Sequence, residues 1–215
     1  MPPDTVLIVE DHPTFLKGLT HLLAAEPGLM VVAETTTAHQ ALEELERKKP
    51  TVALVDLTLG ETSGLDLIKD IRLRSPETKV LVLSMHEEKY YAERALAAGA
   101  LGYCMKEEAV DHIVAAIRSV VAGQVWLSPR FDEKVQKLRS MDGWIAAVQK
   151  LSDREFQVFT VMGLGLGTSE IAARLHLSAK TIDTHKEKIK VKLGCRTSQD
   201  LRQRAIEWRS SENLP

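Results

Sequence analysis

Short apolar runs rich in branched side chains alternate with longer stretches of helical period through the first half of the chain. The runs lie at 5–9, 30–33, 51–55, 79–83 and 101–104, and the amphipathic stretches at 14–25, 39–48, 64–74, 88–98 and 108–122. Apolar residues in the longer stretches recur every three or four positions, which predicts helices. The runs themselves are near-continuous, as in strands covered on both faces. Five strand–helix repeats predict an α/β fold: a doubly wound, five-stranded parallel sheet with helices on both faces. In such a sheet ligands gather beyond the carboxyl ends of the strands.

From Leu151 onward the strand-like runs stop. Helical patterns follow at 153–163, 169–175, 179–193 and 198–208, broken by glycine. Ser152, with Glu155 three residues later, has the spacing of a capping box at the first of them. A small all-α bundle is expected. The intervening 124–149 is less periodic, with Pro129 and Gly143 as punctuation, and reads as a linker carrying a short helix near 132–139. The expected domains are therefore 1–123 and 150–215, joined by that linker.

Composition adds three points. With 44% hydrophobic and 27% charged residues, the balance is that of a globular protein. The longest apolar runs, such as 80–83, are too short to cross a bilayer, and no basic, apolar leader precedes them, so no membrane association is expected. Cys104 and Cys195 lie far apart and outside any Cys/His cluster, which argues for free thiols in a reducing cytoplasm rather than for zinc or a disulfide framework. Charge is uneven. Residues 150–215 hold 12 Lys and Arg against 8 Asp and Glu, and the preceding residues hold 16 against 22, so an acidic front is joined to a basic back.

The predicted strand ends carry the chemistry. The first runs into Glu10 and Asp11, the third into Asp56, the fourth into Ser84 and the fifth into Lys106. Three converging carboxylates repel one another unless a cation neutralises them, and Mg²⁺ suits oxygen donors. Asp56, the central carboxylate, is the natural nucleophile for a phosphoryl group, with Lys106 and the Ser84 hydroxyl as partners for its oxygens. His12 and His86 flank the pocket and are expected at its rim. An aspartate-nucleophile phosphatase of the haloacid dehalogenase type is the enzymatic alternative. It needs a second Asp two residues after the nucleophile, where this chain has Thr58, so no more than slow self-dephosphorylation is expected.

The stretches "LIVEDHPTFLKGL", "VALVDLTLGETSGLDLI" and "VLVLSMHEEKYYAERALAAGALGYCMKEEA" resemble the receiver domain of two-component response regulators. "LSDREFQVFTVMGLGLGTSEIAARLHLSAKTIDTHKEKIKVKLG" resembles the LuxR-type helix-turn-helix, and the whole chain is similar to a NarL/FixJ-type response regulator. The resemblance implies that Glu10 and Asp11 hold Mg²⁺ together with Asp56 and the Thr58 backbone carbonyl. It further implies that a sensor histidine kinase phosphorylates Asp56, that Ser84 and Lys106 read the phosphate, and that Tyr103 is the aromatic residue that moves with Ser84. Two positions depart from the pattern: Gly60 and Glu107 stand where the family often has proline.

In the basic half, Thr168–Leu193 reads as helix, tight turn, helix, with Ser178 capping the second. If Ile182 and Ile189 face inward, as His185 does, the outer face carries Lys180, Thr184, Glu187 and Val191, flanked by Asp183 and Lys188. That face would enter the major groove of double-stranded DNA. Lys180, Thr181, Lys190 and Lys192 suit backbone phosphates, while Asp183 or Glu187 could accept from a cytosine amino group. Leu201, Ala205 and Trp208 on the last helix fit a dimer surface or closure of the core. The expected function is phosphorylation-controlled DNA binding and transcription regulation, with dimerisation in the phosphorylated state. The alternative is a phosphorylation-independent DNA-binding regulator with a vestigial receiver.

Overall fold

A computed structural model describes residues 2–60, 62–86, 88–128, 131, 147–148 and 150–212. The chain forms two compact units, Met1–Phe131 and Asp132–Pro215. The helix expected near 132–139 lies outside the described residues.

The first unit alternates strands and helices: β1 (Asp4–Val9), α1 (Pro13–Ala24), β2 (Leu29–Thr35), α2 (Ala38–Lys48) and β3 (Val52–Asp56). A two-residue hairpin follows, β4 (Thr58–Leu59) with β5 (Thr62–Ser63). Then come α3 (Gly64–Arg74), β6 (Lys79–Ser84), α4 (Glu88–Ala98), β7 (Gly102–Met105) and α5 (Ala109–Val121). The five long strands are parallel, as the periodicity predicts, and lie in the order β2-β1-β3-β6-β7. The hairpin leaves no trace in the sequence pattern, because strands of two residues carry no period.

Alternation along the strands sorts the core. Val6, Ile8, Val52, Leu54, Leu81, Leu83 and Cys104 pack with Leu16, Leu19 and Leu23 of α1 and with Ile113, Ile117 and Val120 of α5. Their neighbours Leu7, Val9, Ala53, Val55 and Val82 are equally buried and point to the opposite face, that of α2, α3 and α4. Each such aliphatic side chain stabilises the fold by roughly 1.5–3 kcal/mol relative to exposure. Double coverage explains why these strands read as continuous apolar runs.

Beyond α5 the chain returns to the sheet. Trp126 bridges Gly102 in parallel, Tyr103 N–H donates to the Trp126 carbonyl at 2.9 Å, and Trp126 N–H donates to the Leu101 carbonyl at 3.0 Å. Residues 124–128, the first part of the stretch expected to be a linker, thus cover the β7 edge.

The second unit holds α6 (Asp153–Met162), α7 (Thr168–Arg174), α8 (Ala179–Lys192) and α9 (Ser198–Glu212). The predicted capping box is formed: Ser152 Oγ accepts from Glu155 N–H at 3.4 Å, and Ser152 N–H donates to Glu155 Oε2 at 2.7 Å. Leu201, Ala205 and Trp208 are fully buried, and the Trp208 indole meets Phe156 and Phe159 edge-on with ring centroids 6.1 Å away. Between the two roles open to the last helix, these residues close the core.

Candidate functional site

Strand register brings the chemistry to one edge of the sheet. Val9 pairs with Val55, Asp56 with Leu83, and Ser84 with Met105. Glu10, Asp56, Ser84 and Lys106 therefore emerge side by side, and all are buried. Lys106 Nζ stands between the acids, 2.7 Å from Glu10 Oε2 and 2.8 Å from Asp56 Oδ2. It also lies 5.0 Å from the centroid of the Phe15 ring, a cation–π contact that helps hold the ammonium in place.

Asp11 is half-buried beside this pair, and His12 turns Nδ1 toward both acids, 2.9 Å from Asp11 Oδ1 and 3.1 Å from Glu10 Oε1. The His12 ring itself is largely exposed, at the rim. Donor atoms of Glu10, Asp11, His12 and Asp56 all lie within 4.8 Å of one another. Three carboxylates around a single ammonium leave an excess of negative charge, and a donor set rich in oxygen fits a hard divalent cation.

The electrostatics of Asp56 agree. Burial pushes its pKa up to about 6; the Lys106 ammonium opposes this, the Glu10 carboxylate adds to it, and hydrogen bonds from Lys106 and Thr58 N–H oppose it further. The Asp56 carboxylate is thus kept partly desolvated, and a cation at the site would favour its ionised form.

Two glycines shape the loop beside it. Gly60 adopts φ +50° and donates its N–H to Asp11 Oδ2 at 3.1 Å. Proline can do neither, which accounts physically for glycine at this departure from the family pattern. Gly64 opens α3 directly against the end of β3, where a Cβ would sit 2.1 Å from the Asp56 carbonyl oxygen and 2.6 Å from Leu57 Cα. Its N–H donates to the Leu57 carbonyl at 3.0 Å. Gly64 and Phe15 carry no distinguishing signal in the sequence, because glycine at a helix start and an aromatic residue on an apolar stripe are both ordinary.

On the far side, the Ser84 hydroxyl accepts from His86 N–H at 3.1 Å, and Tyr103 OH donates to the His86 carbonyl at 2.8 Å. Tyr103 is wholly buried, which raises its pKa well above the ordinary value and keeps it a neutral donor. His86 stacks on Tyr91, with centroids 4.5 Å apart, and its Nε2 lies 3.3 Å from Thr58 Oγ1. Cys104 is buried, its thiol pushed up to about 12 chiefly by burial, and neither cysteine is in a disulfide.

In the second unit α7, a turn and α8 form the expected helix-turn-helix. His176 takes φ +51° in the turn, and Ser178 Oγ caps α8 by accepting from Thr181 N–H at 3.1 Å. Ile171, Ala172, Ile182 and Ile189 face inward. His185 is half-buried, and desolvation lowers its pKa, as suits a neutral packing residue.

Lys180, Asp183, Thr184, Glu187, Lys188, Val191 and Lys192 are exposed along α8, while Thr181 and Lys190 are half-buried. Several of these groups are engaged within the unit. Asp183 Oδ1 lies 3.4 Å from Thr168 Oγ1, Lys190 pairs with Glu187 at 2.6 Å, and Lys192 pairs with the buried Glu155 at 2.6 Å. The Thr184 hydroxyl donates to the Lys180 carbonyl. Lys180 and Lys188 have no ion pair among the described residues.

Comparison with known proteins places both units. Residues 6–118 match the response regulator receiver domain, and residues 149–205 match the bacterial regulatory proteins of the luxR family. The chain is 32% identical to the transcriptional activator protein ExaE of Pseudomonas putida, over 94% of this chain and 95% of that protein. It is also 32% identical to the transcriptional regulatory protein UhpA of Salmonella typhimurium, over 94% and 98%. Among solved structures, the RcsB response regulator of Salmonella typhimurium superposes with a TM-score of 0.68 at 26% identity, covering 96% of this chain and 98% of that one.

Proposed function

The chain belongs to the response regulators that join a receiver to a LuxR-type DNA-binding domain, and from that premise we propose that a phosphoryl group on Asp56 controls its binding to DNA. The observation that carries this reading is the Lys106 ammonium, buried 2.8 Å from Asp56 Oδ2 and 2.7 Å from Glu10 Oε2. Such a cation serves no fold that an apolar side chain could not serve as well, whereas it suits a carboxylate that acquires phosphoryl oxygens.

In the proposed step an Asp56 carboxylate oxygen attacks the phosphorus of a phosphohistidine on a sensor kinase. The new O–P bond forms as the P–N bond breaks, and the imidazole leaves with its electron pair. Glu10, Asp11, Asp56 and the Thr58 carbonyl would hold Mg²⁺, which supplies positive charge opposite the equatorial oxygens. Lys106 stays with one phosphoryl oxygen and Ser84 turns its hydroxyl to another, leaving His86 N–H. Tyr103 follows into the space that Ser84 vacates.

The readout is a population shift: phosphorylation favours a receiver state that permits dimerisation and DNA binding. On α8, Lys180, Thr181 and Lys190 meet backbone phosphates, Lys192 being held by the buried Glu155, and Thr184, Asp183, Glu187 and Lys188 face base edges. The relatives are transcriptional regulators rather than enzymes. Among the described residues no helix is long and apolar enough to cross a membrane, and the cytoplasm is the proposed compartment.

The test is intact-mass spectrometry after incubation with acetyl phosphate and Mg²⁺, wild type beside Asp56→Asn. A gain of one phosphoryl group in the wild type alone is expected. No gain in either protein overturns the reading in favour of a DNA-binding regulator that works without phosphorylation.

A further inference from the structure

Glu88, the first residue of α4, carries a carboxylate that phosphoryl transfer does not use. It is 2% exposed, and it faces Ser128 on the segment that leaves the receiver. Ser128 N–H donates to Oε1 at 2.6 Å, and Ser128 Oγ donates to Oε2. A carboxylate taken out of water is costly unless it is hydrogen-bonded, so the buried position of Glu88 depends on what it grips. Two residues earlier the same segment is held a second time, where Tyr103 N–H donates to the Trp126 carbonyl at 2.9 Å. Glycine at 102 leaves room for this, since a Cβ there would lie 3.1 Å from both the carbonyl oxygen and the Cβ of Trp126.

Both fastenings belong to the surroundings of Ser84. His86 N–H donates to Ser84 Oγ, Tyr103 OH donates to the His86 carbonyl, and Glu88 begins its helix two residues after His86. His86, which reads Ser84, therefore stands two residues from the carboxylate that holds the exit segment.

We propose that Glu88 and Ser128 form a clasp through which phosphorylation of Asp56 frees the chain leading to the DNA-binding unit. The clasp rests on the phosphoacceptor reading above. When the Ser84 hydroxyl turns to a phosphoryl oxygen, His86 N–H loses its acceptor and the bend at Met85 and His86 rearranges. Glu88 then moves off Ser128 and its carboxylate gains water. No bond is made or broken in this step; two hydrogen bonds are exchanged for solvation. The geometry makes residues 124–128 a relay rather than a passive tether.

The experiment is hydrogen–deuterium exchange of the full chain with and without acetyl phosphate and Mg²⁺, with intact mass recording the phosphoryl gain in each sample. In the wild type, peptides over 124–128 are expected to exchange about tenfold faster after phosphorylation, the scale of one lost charge-assisted hydrogen bond. Glu88→Ala exchanges at the fast rate already without phosphate and responds little further. Ser128→Thr, which keeps both donors, restores the wild-type response, while Ser128→Ala falls between. Exchange at 124–128 that is unchanged in phosphorylated wild type overturns the clasp, as does a full response in phosphorylated Glu88→Ala. Absence of phosphoryl gain overturns the phosphoacceptor reading, and the clasp with it.

Discussion

Asp56 shows how much one residue's setting matters. Raising its pKa from 3.8 to about 6 costs the ionised form on the order of 3 kcal/mol. Because the folded value lies above the unfolded one, the contribution favours folding below about pH 4 and is lost as pH rises through 6. A cation at the site reverses the penalty only where Asp56 is ionised. Saturating Mg²⁺ is therefore expected to raise the melting temperature at pH 7.5 by the equivalent of about 2–3 kcal/mol at a hundredfold excess over Kd. At pH 5 the gain should be clearly smaller; equal gains in scanning fluorimetry at both pH values contradict the assignment. Gly64 sets a second limit. Gly64→Ala drives a methyl into the Asp56 and Leu57 backbone, so a loss of about 1–3 kcal/mol in urea unfolding is expected, with slower acetyl phosphate loading.

At the scale of elements, α6 and α8 are joined through one carboxylate. Burial by itself would raise the pKa of Glu155, yet the hydrogen bond from Lys192, with those from Ser152, outweighs it and holds the group below its ordinary 4.5. Its stabilisation is therefore present at neutral pH and is lost as pH falls below that value. Lys192 thus belongs partly to the fold, whereas Lys180, exposed near the start of α8, does not. Lys180→Ala is expected to leave the melting temperature unchanged and to reduce the salt slope of duplex binding by about 0.9, as for one lost phosphate contact. Lys192→Ala should instead destabilise the unit by roughly 1 kcal/mol. Fluorescence anisotropy and thermal melts on the two variants separate these outcomes; matching behaviour would mean that Lys192 is a DNA contact and no strut.

For the whole molecule, each unit closes its own core, the first around the sheet and the second around Trp208. Residues 1–131 expressed alone are expected to unfold cooperatively and to accept a phosphoryl group from acetyl phosphate. Residues 132–215 alone should keep a helical circular dichroism spectrum. A first unit that ends at 123 is expected to be less stable than one ending at 131, because it bares the β7 edge and leaves Glu88 buried without Ser128. Comparison of the two denaturation midpoints measures what the exit segment contributes.

The order of strands and helices, the helix-turn-helix and the convergence of Glu10, Asp11, Asp56, Ser84 and Lys106 were legible in the chain alone. Burial on both faces writes strands as continuous apolar runs, packing writes helices at their own period, and parallel strands send their carboxyl ends to one edge. The outward face of α8 was legible for the same reason, since Ile182 and Ile189 fix its rotation. The contacts of single polar groups were not. That Lys106 bridges two acids over Phe15, that Gly60 holds Asp11, that Lys192 is spent on Glu155, and that Ser128 returns to Glu88 depends on residues 37 to 96 positions apart. A hydrogen bond is short and directional, so it leaves no periodic trace in the sequence; only the folded chain decides which donor meets which acceptor.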